Sequence, residues 1–457
     1  MRNLTAIFFS FSLFLMCVIC LPRQTSHAWY PLNDTGIQFC GEGTSNNDPC
    51  TGNELQGQDA HYGRDAAAQA GTLTKTGAGA AGFDYTKISN SGSELPVSAT
   101  LGSGPNDWAC TRDNVTGIMW EVKVDDDSHM RHKDHEYTWY FTDIPDGNPG
   151  KQGNSTSCNN TLAEQNCNTE NFAARVNAVG LCGFTDWRVP TVKELESIVH
   201  HGRTNPTIDT QFFPNTYMHF WSASPVASDL ERAWAVNFYY GHSLNWVTRT
   251  YLYRVRLARG GQSVGSNANS SHCINNIPPS NPDSMYTIHG DGSTVTDTRT
   301  GLIWKRCVEG QTWTGSTCSG AHYPFSWAGA LWYAESHVFA GHKDWRLPNV
   351  KELRSLVEEC RFDPSINDTI FPNTSSWPFW SASPYADFSN NSWSVEFTHG
   401  HSANWIRGND ITHVRLVREQ SIVPSGQNTL PGMLMLLLDD EGSDPLKPPI
   451  GIGIGTE

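Results

Sequence analysis

Apolar residues fall into two registers along this chain. After Thr191, the positions Val192, Leu195, Ile198 and Val199 recur at helical spacing, which predicts a three-turn helix with one buried face. Val350, Leu353, Leu356 and Val357 repeat the pattern. Thr191 and Asn349 are placed to cap these helices, Glu194 and Glu352 three residues on complete capping boxes, and Pro190 and Pro348 keep the chain extended up to the cap. Elsewhere the period is two. Trp234, Val236 and Phe238 alternate, as do Val255 and Leu257, and each run predicts a strand with one face buried. "YYGHSLNW" reads as a turn through Gly241 and then a strand, and "STVTDTRTGLIW" as two strands around Arg299 to Gly301. Trp187 and Trp345, ahead of the helices, are expected to plug the core, and Arg188 and Arg346 to make internal salt bridges or carbonyl contacts.

The pattern occurs twice because the sequence does. "DWRVPTVKELESI" at Asp186 returns as "DWRLPNVKELRSL" at Asp344. "TGIMWEVK" at Thr116 answers "TGLIWKRC" at Thr300. "NPTIDTQFFPNT" at Asn205 answers "DPSINDTIFPNT" at Asp363. "FWSASP" occurs at Phe220 and Phe379, and "RVRLAR" at Arg254 answers "HVRLVR" at His413. The offsets place 26 extra residues in the first copy, between Val122 and Asn171. Copies of this length make tandem domains, not a solenoid. The expected order is a signal peptide (1–28), an extended lead-in (29–100), a first domain (101–260), a linker (261–284), a second domain (285–420) and a mobile tail (421–457). Strands at both ends and a helix between give the fold class: α+β, two tandem domains, each a small antiparallel sheet with one main helix and long loops.

Composition narrows the setting. Arg2, the apolar run from Ile7 to Leu21, and Ser26-His27-Ala28 form an export signal with a cleavage site. No later stretch is long enough to span a bilayer, so a periplasmic, cell-surface or extracellular protein is expected. The formal charge of −15 disfavours nucleic acid and anionic membranes as partners. Cys17 and Cys20 leave with the signal, and ten cysteines remain for up to five disulfides. Local spacing suggests Cys40–Cys50, Cys158–Cys167 and Cys307–Cys318; Cys110–Cys182 and Cys273–Cys360 then follow by exclusion. Other pairings stay open. Zinc is set aside, because the cysteines lack CxxC spacing and nearby histidines.

The set T-G-L-x-W, D-W-R-L-P-x-x-x-E-L, F-P-N-T, F-W-S-A-S-P and V-R-L-V-R resembles the Lcl C-terminal domain family in both copies. That resemblance implies a fold like C-type lectins and formylglycine-generating enzymes, with paired terminal strands and loops displayed on one side. It also implies a bacterial envelope or secreted protein, and glycosaminoglycan binding is associated with the family's adhesin member. The acidic charge and the lack of a collagen-like stalk argue against carrying that last activity over.

The best candidate ligand site is G-H-S-x-N-W: His242, Asn245 and Trp246 in copy one, His401, Asn404 and Trp405 in copy two. An aromatic face with a few polar groups suits a pyranose, and Arg249 and Arg407 stand close enough to meet an anionic substituent. The competing reading has the tryptophans buried and the rest as strand surface. "FWSASP" lacks a nucleophile elbow. "DDDSHMRHKDHE" at Asp125 lacks calcium-loop spacing, and "QDAHYGRD" at Gln58 has carboxylates in no recognised ligand order. The expectation is a binding protein for a glycan or an envelope protein, without catalytic residues, metal or cofactor. The alternative is a structural component of an envelope or secretion assembly with no small ligand.

Overall fold

A computed structural model describes residues 32–42, 49–162, 166–261, 273–407 and 411–419. The export signal, the tail and residues 262–272 of the linker lie outside the described residues. No helix among the described residues is long and apolar enough to cross a membrane.

The first copy is built from helix α1 (Gly63–Gln69), strands β1 (Tyr85–Ser89), β2 (Glu94–Leu95), β3 (Trp108–Asp113) and β4 (Met119–Glu121), helices α2 (Thr169–Val179) and α3 (Val192–Ser197), and strands β5 (His219–Pro225), β6 (Arg232–Asn237), β7 (His242–Thr248), β8 (Arg254–Val255) and β9 (Ala258–Arg259). The second has β10 (Tyr286–His289), β11 (Thr294–Asp297), β12 (Leu302–Lys305), β13 (Thr312–Trp313), β14 (Cys318–Ser319), α4 (Trp327–Ser336), α5 (Val350–Ser355), β15 (Pro378–Pro384), β16 (Asn391–Glu396), β17 (Ser402–Ile406) and β18 (Val417–Glu419). The last strand of each copy pairs with the strand of its T-G-x-x-W motif, β9 with β4 and β18 with β12, while the first strands, β1 and β10, lie farther out in the same sheets. The sheet orders are β2-β1-β3-β4-β9 and β7-β6-β5-β8, against β10-β11-β12-β18 and β15-β16-β17. The class is α+β, as the periodicity predicts.

Both capping boxes form, with Thr191 accepting from the Glu194 amide and Asn349 from the Glu352 amide. Each helix stops after six residues, shorter than the apolar pattern suggests. Arg188 grips Glu194 with two bonds of 2.6 and 2.7 Å, and Arg346 grips Glu352 with two of 2.7 Å. Trp187 and Trp345 are buried. All five expected disulfides form: Cys40–Cys50, Cys110–Cys182, Cys158–Cys167, Cys273–Cys360 and Cys307–Cys318.

Two features depart from the expectation. Each copy has a second, longer helix, α2 or α4. α2 buries only Thr169, Phe172 and Val176, too sparse a stripe to stand out in the sequence, and α4 is hydrophobic nearly all round. The stretch read as an extended lead-in also contributes structure. Strand β1 pairs with β3 and buries Tyr85 and Ile88, so the first sheet begins at residue 85 and not at 101. Its Gly- and Ala-rich approach conceals the match between "YTKIS" and "YTIH" at Tyr286.

The two copies pack on each other about an approximate twofold axis between α3 and α5. Lys193 donates to the Ser355 carbonyl at 3.2 Å, and its counterpart Lys351 donates to the Ser197 carbonyl at 2.8 Å. Ser243 and its counterpart Ser402 face each other at 3.4 Å. Arg354 pairs with Glu196 at 3.1 Å, with the two residues 4% and 8% exposed. Each lysine is completed by a segment from outside the repeats. Lys193 reaches Asn281 of the linker at 2.9 Å, and Lys351 reaches the Asp34 carbonyl at 2.8 Å. Burial lowers Lys193 to about 7 and Lys351 to about 8.

The N-terminal segment carries three buried carboxylates, Asp34, Asp59 and Asp65, into this junction. Thr35 and Ser383 donate to Asp59 at 2.9 and 2.5 Å, and the Gly36 and Gly82 amides to Asp65, each at 2.6 Å. Burial pushes all three carboxyl groups up, Asp59 to about 7.

Two outcomes follow from this junction. Arg354→Ala removes the partner of a buried carboxylate, so urea denaturation should show a loss of about 3–5 kcal/mol, and a loss below about 1 kcal/mol would contradict the pairing. Asp59, at an ordinary 3.8 when unfolded and about 7 when folded, favours the folded state fully below 3.8. That contribution is lost as pH rises through 7. Asp59→Asn, neutral throughout, should flatten the fall in stability over that interval; an unchanged pH profile would refute the assignment.

Candidate functional site

The two G-H-S-x-N-W elements lie on β7 and β17, the facing edge strands of their sheets. The structure brings part of each together at the twofold axis. The His242 ring sits 3.4 Å from the Tyr385 hydroxyl and 3.4 Å from the Asn404 amide, and its centroid is 4.9 Å from that of Trp393. Asn404 also accepts from Asn391 at 2.6 Å. His401 contacts Glu396 at 3.0 Å. Burial lowers the pKa of both histidines, His242 to about 4, so His242 is neutral at physiological pH. His242, Asn404 and His401 therefore serve packing between and within the copies.

Arg249 and Arg407 point inward, which corrects the expectation that they meet an anionic ligand. Arg249 is buried, ion-paired with Asp146 of the 26-residue insertion, and its guanidinium lies 4.1 Å from the centroid of Trp139. Arg407 is buried against Trp327 at 4.7 Å and donates to the Glu42 carbonyl at 2.8 Å. Trp139 and Trp327 do the same work in the two copies, each donating its indole N–H at 2.8 Å to the first serine of "FWSASP", at the Ser222 or Ser381 carbonyl. An arginine stacked on such a buried tryptophan is a structural cation.

Asn245 and Trp246 remain. They follow Leu244 where the β6–β7 register shifts, and the shift turns Trp246 outward to 56% exposure. Its counterpart Trp405 packs against the core of copy two instead. A second aromatic surface on copy one was not expected from the sequence. Tyr253 stacks on His219 at 4.5 Å and leans on buried Trp221 at 4.9 Å, and Tyr251 extends the run at 57% exposure. Arg254 beside it pairs with Asp134 and Glu136. The signal was present in "TYLYR", where aromatics alternate just before a strand.

A cleft of about 550 Å³ opens between the copies. Its walls include Ile118, Ile144, Pro145, Val189, Ile277 and Pro278, and Lys193, Arg299 and Arg354 line it among carboxylates. Among the described residues no aromatic ring lines it. The "FWSASP" hydroxyls are engaged elsewhere. Ser222 and Ser381 donate to the Trp234 and Trp393 carbonyls, and Ser224 and Ser383 accept from the Val192 and Val350 amides. In the Asp125 to Glu136 loop, Arg131 turns inward to the Ala109 and Val122 carbonyls, and His132 lies 3.6 Å from Asp125.

The family model described as the Lcl C-terminal domain matches residues 109–259 and again 293–418, more than half of the chain. No curated protein and no solved structure matches it.

Proposed function

The chain belongs to the Lcl C-terminal domain family, in two tandem copies, and on that premise we propose that it is an exported, non-enzymatic binding protein that recognises a carbohydrate or similar surface ligand through its first copy. Five disulfides fit an oxidising compartment. The non-enzymatic part is supported by the serines' structural bonds and by the pairing of all ten cysteines expected in the mature chain.

The observation that carries the reading is Trp246. An indole more than half exposed on a strand whose neighbours Ser243, Leu244 and Val247 are buried offers a flat apolar face held in place. Such a face stacks on the C–H surface of a pyranose, and Asn245 beside it supplies a hydroxyl partner. The Tyr251–Tyr253–His219 run supplies further stacking area on the same copy.

The second reading, an interaction component of an envelope assembly, is favoured by Trp332 and Trp377 of copy two, 70% and 69% exposed. Exposed tryptophan is enriched in protein interfaces.

A glycan array with the mature chain, followed by titration of the best hit, tests the first reading. Trp246→Ala should weaken binding about thirtyfold, the effect of losing an anchor worth about 2 kcal/mol, while the melting temperature stays put. An unchanged affinity removes Trp246 from the site. An array without hits, together with a protein co-purifying only when Trp332 and Trp377 are intact, moves the assignment to the second reading.

A further inference from the structure

Near the N-terminal end of the described chain, the Cys40–Cys50 disulfide stands beside a carboxylate and an imidazole that no part of the binding reading uses. Ligand atoms of Cys40, Cys50, Glu54 and His61 all lie within 4.8 Å of one another. His61 Nε2 stands 3.3 Å from Cys40 Sγ and 3.1 Å from Glu54 Oε1. Glu54 is fixed beforehand: the Thr51 and Gly52 amides each donate to its carboxylate at 2.8 Å, and these bonds help lower its pKa to about 2 despite burial. The other ring nitrogen of His61, Nδ1, is buried and has no hydrogen-bond partner among the described residues. Through Nε2 the ring is directed toward a sulfur and a carboxylate.

We propose that Cys40, Cys50, Glu54 and His61 form a redox-gated zinc site, closed as a disulfide and open to Zn²⁺ when the two cysteines are reduced. Cys50 is the partly exposed sulfur and Cys40 the buried one, so an incoming dithiol attacks Cys50. Its thiolate bonds to Cys50 Sγ, the Cys40–Cys50 bond breaks, and the electron pair leaves on Cys40, beside the imidazole. The second thiol of the reductant then displaces Cys50. The dithiol ends as a disulfide, and the chain gains two electrons and two protons as two thiols. Zn²⁺ displaces the two thiol protons. Once the bond is broken, rotation of the side chains must move the two sulfurs apart. A tetrahedral site with Zn–S near 2.3 Å requires about 3.8 Å between the sulfurs. The nitrogen of His61 and one oxygen of Glu54 complete an S₂NO set of the borderline ligands zinc prefers.

The site also bears on the fold. Asp59, which accepts from Thr35 and Ser383, lies two residues before His61, so metal binding in the reduced chain would take the place of the Cys40–Cys50 cross-link next to that contact.

The test uses the full mature chain, treated under native conditions with a dithiol and then titrated with Co²⁺ and Zn²⁺ without oxygen. The expected result is one Co²⁺ per chain with thiolate charge-transfer absorption, displaced by Zn²⁺. It should be absent before reduction, absent in Cys40→Ser/Cys50→Ser, and kept in Cys273→Ser/Cys360→Ser, which removes the other partly exposed pair. His61→Ala and Glu54→Gln, both retaining the two cysteines, should each weaken Zn²⁺ binding more than about tenfold, the least that even an outer partner contributes. An absent cobalt–thiolate band in the reduced chain overturns the proposal, as does an equal band in the Cys40→Ser/Cys50→Ser variant. Unaltered affinity in both His61→Ala and Glu54→Gln also overturns it.

Discussion

A lysine amine is expensive to bury unless its protons find oxygen acceptors, and this chain buries Lys351 and half-buries Lys193 at one axis. Lys193 and Lys351 occupy the same place in the repeated "VKEL", and each reaches across to the last helical residue of the other copy. Neither bond exists within a single copy. The junction is therefore part of what allows each copy to hold its own sequence. The linker and the N-terminal segment matter for the same reason, since Asn281 and the Asp34 carbonyl supply acceptors that the repeats lack. Removing the N-terminal segment would leave Lys351 short of an acceptor and Ser383 without Asp59.

That constraint decides which motif residues remain available outside. The strands carrying G-H-S-x-N-W are brought edge to edge, so His242, Ser243, Ser402 and Asn404 turn toward each other. Arg249 and Arg407 are drawn in by Trp139 and Trp327, which lock the first serine of "FWSASP". A motif repeated in sequence is thus mostly a packing device here, and the register shift beside Trp246 is what frees one aromatic from it.

Local rules made much of this legible. Capping boxes, the Arg188–Glu194 and Arg346–Glu352 pairs, alternating strands and short disulfide loops depend on residues close in sequence, and for all but the disulfide loops the repeat supplies a second instance. Helices α2 and α4 escaped because tertiary packing, not a clean apolar stripe, holds them. Strand β1 escaped because its flanks are Gly-rich. The twofold junction left one readable trace, a lysine inside each amphipathic helix where a solvent-facing residue was the simpler inference. His61 escaped because its approach to Cys40 spans 21 residues and follows no metal-ligand spacing.

The approximate symmetry also bears on stoichiometry. Two like copies would ordinarily imply two like sites. Here the elements at the axis meet and occur once per chain, while surface elements are free to diverge. They have done so: Trp246 is exposed and Trp405 packed, and copy two has Pro378 and Thr412 at the positions of His219 and Tyr253. A ligand stacking on these aromatics meets one such surface per chain. The duplication has kept a separate hydrophobic core in each copy and joined the two through a largely polar junction, while the exposed aromatics of copy one are not repeated in copy two.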